Sequence, residues 1–235
     1  MRKKIELLVL LLALAGIYTV SRNLEKYVQS DQVKSEQERK MDLVVIDSGH
    51  GGSDPGKVGI NEVLEKDINL KISKQEEKEL KNKGYQVVMT REKDQMLAGE
   101  TSGNSKIQDM KARVDLINEK APGLAVSIHQ NSYHEEEIHG AQVFYYSHSA
   151  EGHTAAKLMQ QALLGVDSEN TRQEKANDTY YLLRRTQVPT IIVECGFLSN
   201  QQEAELLAGK DYQKKIAKAI ATGIDEYLRN AADGT

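Results

Sequence analysis

Short apolar runs alternate with amphipathic stretches along the chain from Met41 onward. The runs are rich in Val and Ile, and they predict strands at 43–47, 86–90, 124–129, 141–146 and 190–194. Apolar residues at helical spacing predict helices from about Leu64 to the stop at Gly84, and at 107–119, 150–164 and 211–229. Such alternation predicts an α/β fold, with a mainly parallel twisted sheet and helices on both of its faces.

The first forty residues follow a different pattern. Arg2, Lys3 and Lys4 precede an apolar run from Leu7 to Val20, an order that is typical of an export signal. Ala13-Leu14-Ala15 has the spacing of a cleavage site, and the run is shorter than the roughly 20 residues that a membrane span prefers. We favour an uncleaved anchor over a cleaved signal. We therefore expect a signal or membrane anchor at 1–20, a polar stalk at 21–40 and one folded domain at 41–235.

Composition limits the kinds of partner and cofactor. The 235 residues contain 31 Lys and Arg against 35 Asp and Glu, so the formal net charge is -4. An acidic chain of this kind makes nucleic acid a poor partner. The single cysteine, Cys195, excludes an intramolecular disulfide and a zinc site built mainly on cysteine. Any metal must be held by histidines and carboxylates.

Three of the predicted strands end on polar residues that suit a metal site. The first leads into a glycine-rich loop that contains His50, the third ends at His129, and the last ends at Glu194. The carboxyl ends of parallel strands gather at one edge of a sheet, where ligands bind. Two imidazoles and a carboxylate form a familiar ligand set for a catalytic zinc ion. Glu62 and Glu65 are both candidates for the carboxylate ligand, because both lie within plausible reach of His50. Periodicity does not choose between these two glutamates.

A series of ordered motifs resembles the zinc-dependent N-acetylmuramoyl-L-alanine amidases of the Amidase_3 family. The resemblance covers the chain from Leu43 to Tyr227 and implies a zinc-hydrolase-like fold. Ser48 stands where the family usually has Pro. The motifs that carry the resemblance are Asp47-Ser48-Gly49-His50-Gly51-Gly52, Asp54-Pro55-Gly56, Glu65-Lys66-Asp67-Ile68-Asn69-Leu70, Thr90-Arg91, Arg113, Ser127-Ile128-His129-Gln130-Asn131-Ser132, Leu182-Leu183-Arg184, Pro189 and Val193-Glu194-Cys195-Gly196-Phe197-Leu198-Ser199-Asn200.

The resemblance also assigns roles to residues. It implies that His50, Glu65 and His129 hold Zn²⁺ and that Glu194 is the catalytic carboxylate, which selects Glu65 over Glu62. The other histidines, at 134, 139, 148 and 153, lie among polar residues and are expected to be ordinary exposed side chains. Cys195 is expected to be a small buried residue and not a nucleophile.

Three further residues are weaker candidates for substrate binding. Arg113 and Arg184 are candidates for holding the acidic stem peptide or the glycan, although structural ion pairing explains them equally well. Asn131 is a candidate for contacting the substrate or for orienting the loop after His129.

The resemblance implies hydrolysis of the amide bond between the lactyl group of N-acetylmuramic acid and the L-Ala of peptidoglycan stem peptides. Two alternatives stay open: a zinc peptidase acting on the stem, and a wall-binding pseudoenzyme. The compact domain resembles the sporulation and germination amidases of spore-forming bacteria, which act on spore cortex in forming muramic δ-lactam. We therefore expect an exported protein of the forespore or spore envelope, which contacts the membrane only through its anchor. The short segment between His129 and Ala141 leaves no room for an inserted blocking helix, so we expect control by a partner protein that supports metal binding.

Overall fold

The computed structural model describes residues 16, 18–24, 26, 41–99 and 105–233. The chain divides into two compact units, Met1–Lys40 and Met41–Thr235. In the first unit, residues 18–24 are helical and exposed, and the rest of the anchor and stalk predicted there lies almost wholly outside the described residues. No helix in the described ranges has both the length and the apolar character that crossing a membrane requires.

The second unit contains, within its described residues, every strand and helix that the sequence pattern predicts, in the predicted order, together with three short further elements. Its strands are β1 (Leu43–Ser48), β2 (Gln86–Met89), β3 (Leu124–Asn131), β4 (Gln142–Tyr145), β5 (Lys175–Ala176) and β6 (Thr190–Phe197). Its helices are α1 (Glu65–Asn82), α2 (Ser105–Lys120), α3 (Ala150–Leu164), α4 (Tyr181–Arg185), α5 (Gln201–Ala208) and α6 (Lys210–Asp233).

The six strands form one sheet in the order β2-β1-β3-β6-β4-β5. Strands β2, β1, β3 and β6 run parallel to one another, β4 runs antiparallel to β6, and β5 runs parallel to β4. The predicted α/β fold with a mainly parallel sheet is therefore confirmed. The central strands are buried on both faces, which explains their continuous Val and Ile runs.

The antiparallel strand β4 has a simple cause in chain length. The connection from β3 to β4, residues 132–141, contains no helix and is too short for the crossover that a parallel neighbour needs. The chain therefore turns back and runs in the opposite direction along β6. Strand β5 and helices α4 and α5 are too short to produce a periodic sequence signal, and the sequence pattern did not predict them.

Two apolar cores lie on opposite faces of the sheet. Helices α1, α3 and α6 cover one face, where their Ile, Ala, Leu and Met side chains pack on alternate residues of the central strands. Helices α2 and α4 cover the other face through Val114, Ile117, Leu182 and Leu183. This arrangement confirms the predicted helices on both faces. It also brings the carboxyl ends of β1, β3 and β6 to one edge of the sheet.

Candidate metal centre and active site

His50 lies in a tight loop directly after β1. Its backbone adopts φ 61, in the left-handed region that costs a non-glycine residue free energy. The neighbouring glycines allow very close packing around the site. A Cβ at Gly49 would overlap the His129 ring, and a Cβ at Gly56 would lie 2.5 Å from Glu65 Oε2 and 2.7 Å from His50 Cδ2. The loop therefore has the shape that close approach of the three candidate ligands requires.

Glu65 is the first residue of α1, where a carboxylate also interacts favourably with the helix dipole. Its side chain is only 2% exposed. Oε2 accepts a hydrogen bond from the backbone N–H of Lys57 at 2.8 Å, and Oε1 accepts one from the N–H of Gln130 at 3.1 Å. The other candidate ligand, Glu62, has φ 65 and lies in the loop before the helix. The structure thus places Glu65, and not Glu62, at the edge of the sheet that carries His129.

His50, Glu65 and His129 come together as one cluster. Each offers a ligand atom, and these atoms lie within 4.8 Å of one another. Glu65 Oε1 is 3.2 Å from His50 Nε2 and 2.9 Å from His129 Nδ1, while the two rings pack edge to face with centroids 5.0 Å apart. Two imidazoles and a carboxylate at this spacing fit the ligand set of a catalytic zinc ion, which needs three protein ligands and an open position.

Neighbouring charged groups shift the pKa of His50 and of Glu65 in this cluster. Although burial acts against it, hydrogen bonding to Asp54 and Glu65 raises the pKa of His50 to about 9. Burial alone would raise the pKa of Glu65, but His129 and His50 outweigh burial and hold that pKa well below its usual range. His50 Nδ1 contacts Asp54 Oδ2 at 2.8 Å, and Lys106 Nζ lies 2.6 Å from Asp54 Oδ1. Carboxylates that orient a metal-binding imidazole in this way fix its ring position.

Two buried guanidinium groups hold the backbone of the His50 loop. Arg91 donates to the carbonyls of Ser48 at 2.9 Å and Gly49 at 3.0 Å. Arg113 donates to the carbonyls of Ser48 and His50, both at 2.7 Å. Because these carbonyls are fixed from two sides, the loop keeps His50 in its unfavourable backbone conformation.

Asp47 compensates the charge of Arg113 inside the protein. Arg113 Nη1 contacts Asp47 Oδ1 at 2.7 Å, and Arg113 Nε contacts Asp109 Oδ2 at 2.7 Å. Asp47 also accepts hydrogen bonds from the hydroxyls of Thr90 and Ser127. Burial alone would raise the pKa of Asp47, but these partners outweigh burial and lower the pKa to about 2, and Arg113 has the largest effect among them. The ion pair is thus maintained across the physiological range of pH.

Glu194 lies beside this cluster on β6. It is level with His129 in the β3–β6 register and is 7% exposed. Burial raises its pKa to about 7, with a further contribution from Glu65, while His129 and His50 oppose the rise. Among the described residues, its Oε2 has no hydrogen-bond partner. A carboxyl with these properties takes up and releases protons near neutral pH.

The three weaker candidates differ in their surroundings. Arg113 is 1% exposed, and its donors contact protein groups, which favours the structural alternative for this residue. Asn131 is half-buried at the end of β3, and its side-chain oxygen accepts a hydrogen bond from the N–H of Ser132 at 2.8 Å. Arg184 is exposed on α4.

The other residues singled out in the sequence lie away from the cluster or inside the core. Within the described ranges, His50, Glu65 and His129 form the single group of three or more side chains with metal-binding spacing. His134 is exposed beside Glu135, and His153 stacks on Tyr145 at 4.5 Å. Cys195 is fully buried, and burial raises the pKa of its thiol well above the usual value.

Asp54, Lys106, Asp109 and Tyr180 also surround the site, and sequence reasoning gave them no role. Asp54 had a usable signal, because it is a carboxylate four residues after a histidine in the same loop. Asp109 also had one, because it precedes Arg113 by one helical turn. Tyr180 packs edge-on against Phe144, which pairs with Ile192 of β6, and no local pattern indicates that position.

The fold and this site agree with a comparison of the sequence with known families. Residues 44–226 match the family model Amidase_3, described as N-acetylmuramoyl-L-alanine amidase. Since the match covers most of the chain, the protein belongs to this amidase family. The resemblance inferred from the motifs is confirmed.

The chain is also similar to individual amidases in sequence or in structure. The chain is 40% identical over 194 residues to the germination-specific N-acetylmuramoyl-L-alanine amidase of Bacillus subtilis, covering 81% of each sequence. It is similar in structure to the CwlD amidase from Clostridioides difficile in complex with the GerS lipoprotein, with 36% identity, a TM-score of 0.77 and coverage of 80% of this chain and 98% of that one. It is also similar to the catalytic domain of CwlV from Bacillus (Paenibacillus) polymyxa, with 31% identity, a TM-score of 0.70 and coverage of 80% and 98%.

Proposed function

We propose that this protein is a zinc-dependent amidase that cleaves the bond between the lactyl group of N-acetylmuramic acid and the L-Ala of the peptidoglycan stem. The observation that carries the proposal is the His50–Glu65–His129 cluster with Glu194 beside it. The family membership supplies the reaction class. The germination-specific relative from Bacillus subtilis supports spore cortex as the substrate.

His50, Glu65 and His129 are the residues that would hold zinc. An amide is a weak electrophile, and a zinc ion supplies Lewis acidity toward its carbonyl and makes water more acidic. The protein contributes a preorganised loop, in which Arg91 and Arg113 fix the backbone around His50.

Glu194 is the group that we assign to proton transfer. Its carboxylate takes a proton from the attacking water and passes it to the departing amine, so that the amine leaves as a neutral group. A pKa near 7 suits both steps, because the group must accept and release the same proton in one turnover. Because the carboxyl is buried, it is shielded from exchanging this proton with bulk water during the transfer.

Two polar residues outside the ligand set are proposed to contact the substrate. We assign to Arg184, which is exposed on α4, the attraction of stem-peptide carboxylates, and to Asn131, two residues after His129, a contact with the substrate. Arg113 is not part of this proposed surface, because its side chain is enclosed by Asp47, Asp109 and backbone carbonyls.

We also propose that the protein is exported and acts at the spore envelope, tethered by its N-terminal segment. The basic and apolar order of residues 1–20 and the germination-specific relative support this location. A protein partner that supports metal binding is part of the proposal, because the similar CwlD amidase was determined in complex with the GerS lipoprotein. Full zinc occupancy and full activity of the isolated protein as purified, before any zinc is added, would contradict the need for a partner.

The test is mass spectrometry of the products from purified peptidoglycan. The full-length chain in mild detergent is incubated with zinc, beside the variant Glu194→Gln. The proposal predicts free stem peptides that begin with L-Ala, and a rate lower by about 100-fold to 10,000-fold in the variant. Zinc binding is expected to survive in the variant, because Glu194 is not among the three clustered ligands.

A matched control and two contrary outcomes complete the test. Glu119→Gln makes the same chemical change on a glutamate whose side chain is 71% exposed, and it should leave the rate unchanged. Shortened stems that remain attached to glycan would instead indicate a peptidase. A zinc-loaded protein that releases no product would indicate a wall-binding pseudoenzyme.

A further inference from the structure

Asn69 is a fully buried residue on α1, one helical turn after the proposed zinc ligand Glu65. It is 0% exposed. Residues four apart on a helix lie on the same face, so the Asn69 amide lies beside the Glu65 carboxylate. A buried amide is costly unless its N–H groups and its carbonyl oxygen find partners. The partners of Asn69 therefore indicate what this residue does.

The Asn69 amide contacts all three segments that carry the proposed zinc ligands. Nδ2 donates to the carbonyl of Gly49, directly before the histidine of the β1 loop, at 3.1 Å. Nδ2 also donates to Glu65 Oε1 at 3.4 Å, a long hydrogen bond. Oδ1 accepts from Nε2 of Gln130, directly after the histidine of β3, at 3.1 Å. One side chain thus joins the loop after β1, the start of α1 and the end of β3.

The chemistry of these partners fixes the direction of the amide. The two groups around Nδ2 are a backbone carbonyl and a carboxylate whose pKa is held low, and both only accept hydrogen bonds. The group facing Oδ1 is the NH₂ of Gln130, which only donates. A reversed amide would place oxygen against oxygen and N–H against N–H. The position therefore requires a side chain with donors on one side and an acceptor on the other.

Further contacts make this connection rigid. The backbone N–H of Gln130 donates to Glu65 Oε1 at 3.1 Å, so Glu65, Asn69 and Gln130 form a closed cycle of hydrogen bonds. The Gly49 carbonyl also accepts from Arg91 Nη2 at 3.0 Å. Gly49 packs so tightly on the second histidine that an added Cβ would lie 2.3 Å from its ring. Holding the Gly49 carbonyl therefore fixes how the loop approaches both β3 and α1.

We propose that Asn69 is a positioning residue of the metal site, whose amide holds the His50 loop and the end of β3 in register with Glu65 so that the three ligands meet one zinc ion. This inference rests on the proposed function, in which that cluster holds zinc. Without the amide the three segments would move more independently, and zinc would have to order them when it binds. Partners that orient metal ligands typically change metal affinity by about 10-fold to 100-fold when they are removed.

The binding test measures zinc affinity by chelator competition in the full-length protein, for wild type, Asn69→Leu and Asn170→Leu. Leucine is close to asparagine in shape and removes the amide. Asn170 is a matched control because it is also buried, and its amide donates to the Ala141 carbonyl at 2.9 Å and accepts from the Arg172 N–H at 3.0 Å. Both variants should lower Tm, because each loses buried hydrogen bonds. Only Asn69→Leu should weaken zinc binding, at least about 10-fold, at a temperature where circular dichroism shows all three proteins folded.

A spectroscopic test reads the ligand geometry without turnover. Cobalt(II) substitutes for zinc, and its visible absorption depends on the number and arrangement of its ligands. We expect the cobalt spectrum of Asn69→Leu to differ from that of wild type, and the spectrum of Asn170→Leu to match it. A merely structural role for Asn69 would lower Tm and leave the spectrum unchanged.

Gln130→Leu tests the same connection if Asn69→Leu does not fold. This variant removes the donor to Asn69 Oδ1 and keeps the backbone N–H that contacts Glu65. Zinc affinity should fall about 2-fold to 10-fold, the value of one hydrogen bond between neutral groups. Wild-type zinc affinity in the folded Gln130→Leu protein would then overturn the inference.

The outcomes separate this inference from the proposed function. If wild type binds zinc and releases stem peptides while Asn69→Leu keeps the wild-type zinc affinity and cobalt spectrum, the inference is wrong and the proposed function stands. If wild type binds zinc but releases no stem peptide, the proposed amidase activity fails, and the affinities and spectra still decide the role of Asn69. If wild type binds neither zinc nor cobalt, both fail together.

Discussion

Replacing Arg113 by Met should destabilise the protein strongly, without acting through substrate binding. The side chain is 1% exposed and contacts two carboxylates and two backbone carbonyls. Arg113→Met keeps much of the volume but leaves Asp47 without its cation. Removing one partner of a buried ion pair costs about 3 to 5 kcal/mol. For a domain of this size, each kcal/mol corresponds to about 2 to 4 °C, so Tm should fall by about 6 to 20 °C.

The assay is thermal unfolding followed by circular dichroism, with a chelator present so that zinc binding does not contribute to Tm. Arg184→Met is the matched control, because this arginine is exposed on α4, and its effect on stability should stay within about 0.5 kcal/mol. Asp47→Asn closes a double-mutant cycle with Arg113→Met, in which the double variant should lose less stability than the sum of the single variants. A Tm close to wild type, combined with a raised KM, would refute the structural account and return Arg113 to substrate binding.

Three further predictions address the loop, the core and the cysteine. Gly56→Ala should weaken zinc binding at least about 10-fold in a chelator competition, because the new Cβ would overlap Glu65. The control Gly84→Ala, also at positive φ but in open space, should only lower Tm. Equal zinc affinities of the two variants would contradict this prediction. Glu76 is fully buried, and burial raises the pKa of its carboxyl well above the usual value. Because the unfolded chain ionises this carboxyl at a lower pH than the folded protein does, the free energy of unfolding falls as pH rises. Glu76→Gln should therefore gain Tm over wild type between about pH 5 and pH 8, and a constant difference would show that the carboxyl is solvated. The buried Cys195 thiol should resist a thiol reagent in the native protein and react only after unfolding, and rapid native labelling would show an accessible site.

Much of the fold was predictable because burial leaves a direct mark on the sequence. Val44, Val45 and Ile46 form a continuous β-branched run within β1, as expected for a strand buried on both faces. Helix α4, Tyr181–Arg185, is one turn long and carries no periodicity, so it was missed. The reversed direction of β4 follows from the short, helix-free connection at 132–141, but its pairing with β6 is a choice of neighbour that local patterns do not encode.

The candidate site was predictable only in part. His50 directly follows β1 and His129 lies near the carboxyl end of β3, at the same edge of the sheet, so their proximity follows from topology. Glu62 and Glu65 were indistinguishable by periodicity, and the family motif selected Glu65, which the structure places at the first turn of α1. The pairing of Arg113 with Asp47 joins residues far apart in the chain, and a single sequence does not reveal it.

The central claim is that the His50–Glu65–His129 cluster holds the zinc ion on which amide cleavage depends. The most direct measurement is the release of L-Ala-terminated stem peptides by metal-stripped protein, titrated with zinc while bound metal is quantified in the same samples. The account predicts no release without zinc, a rise in activity that stops at about one zinc per chain, and loss of both binding and release in Glu65→Gln. Full activity in the metal-stripped protein, or undiminished zinc binding by Glu65→Gln, would contradict it.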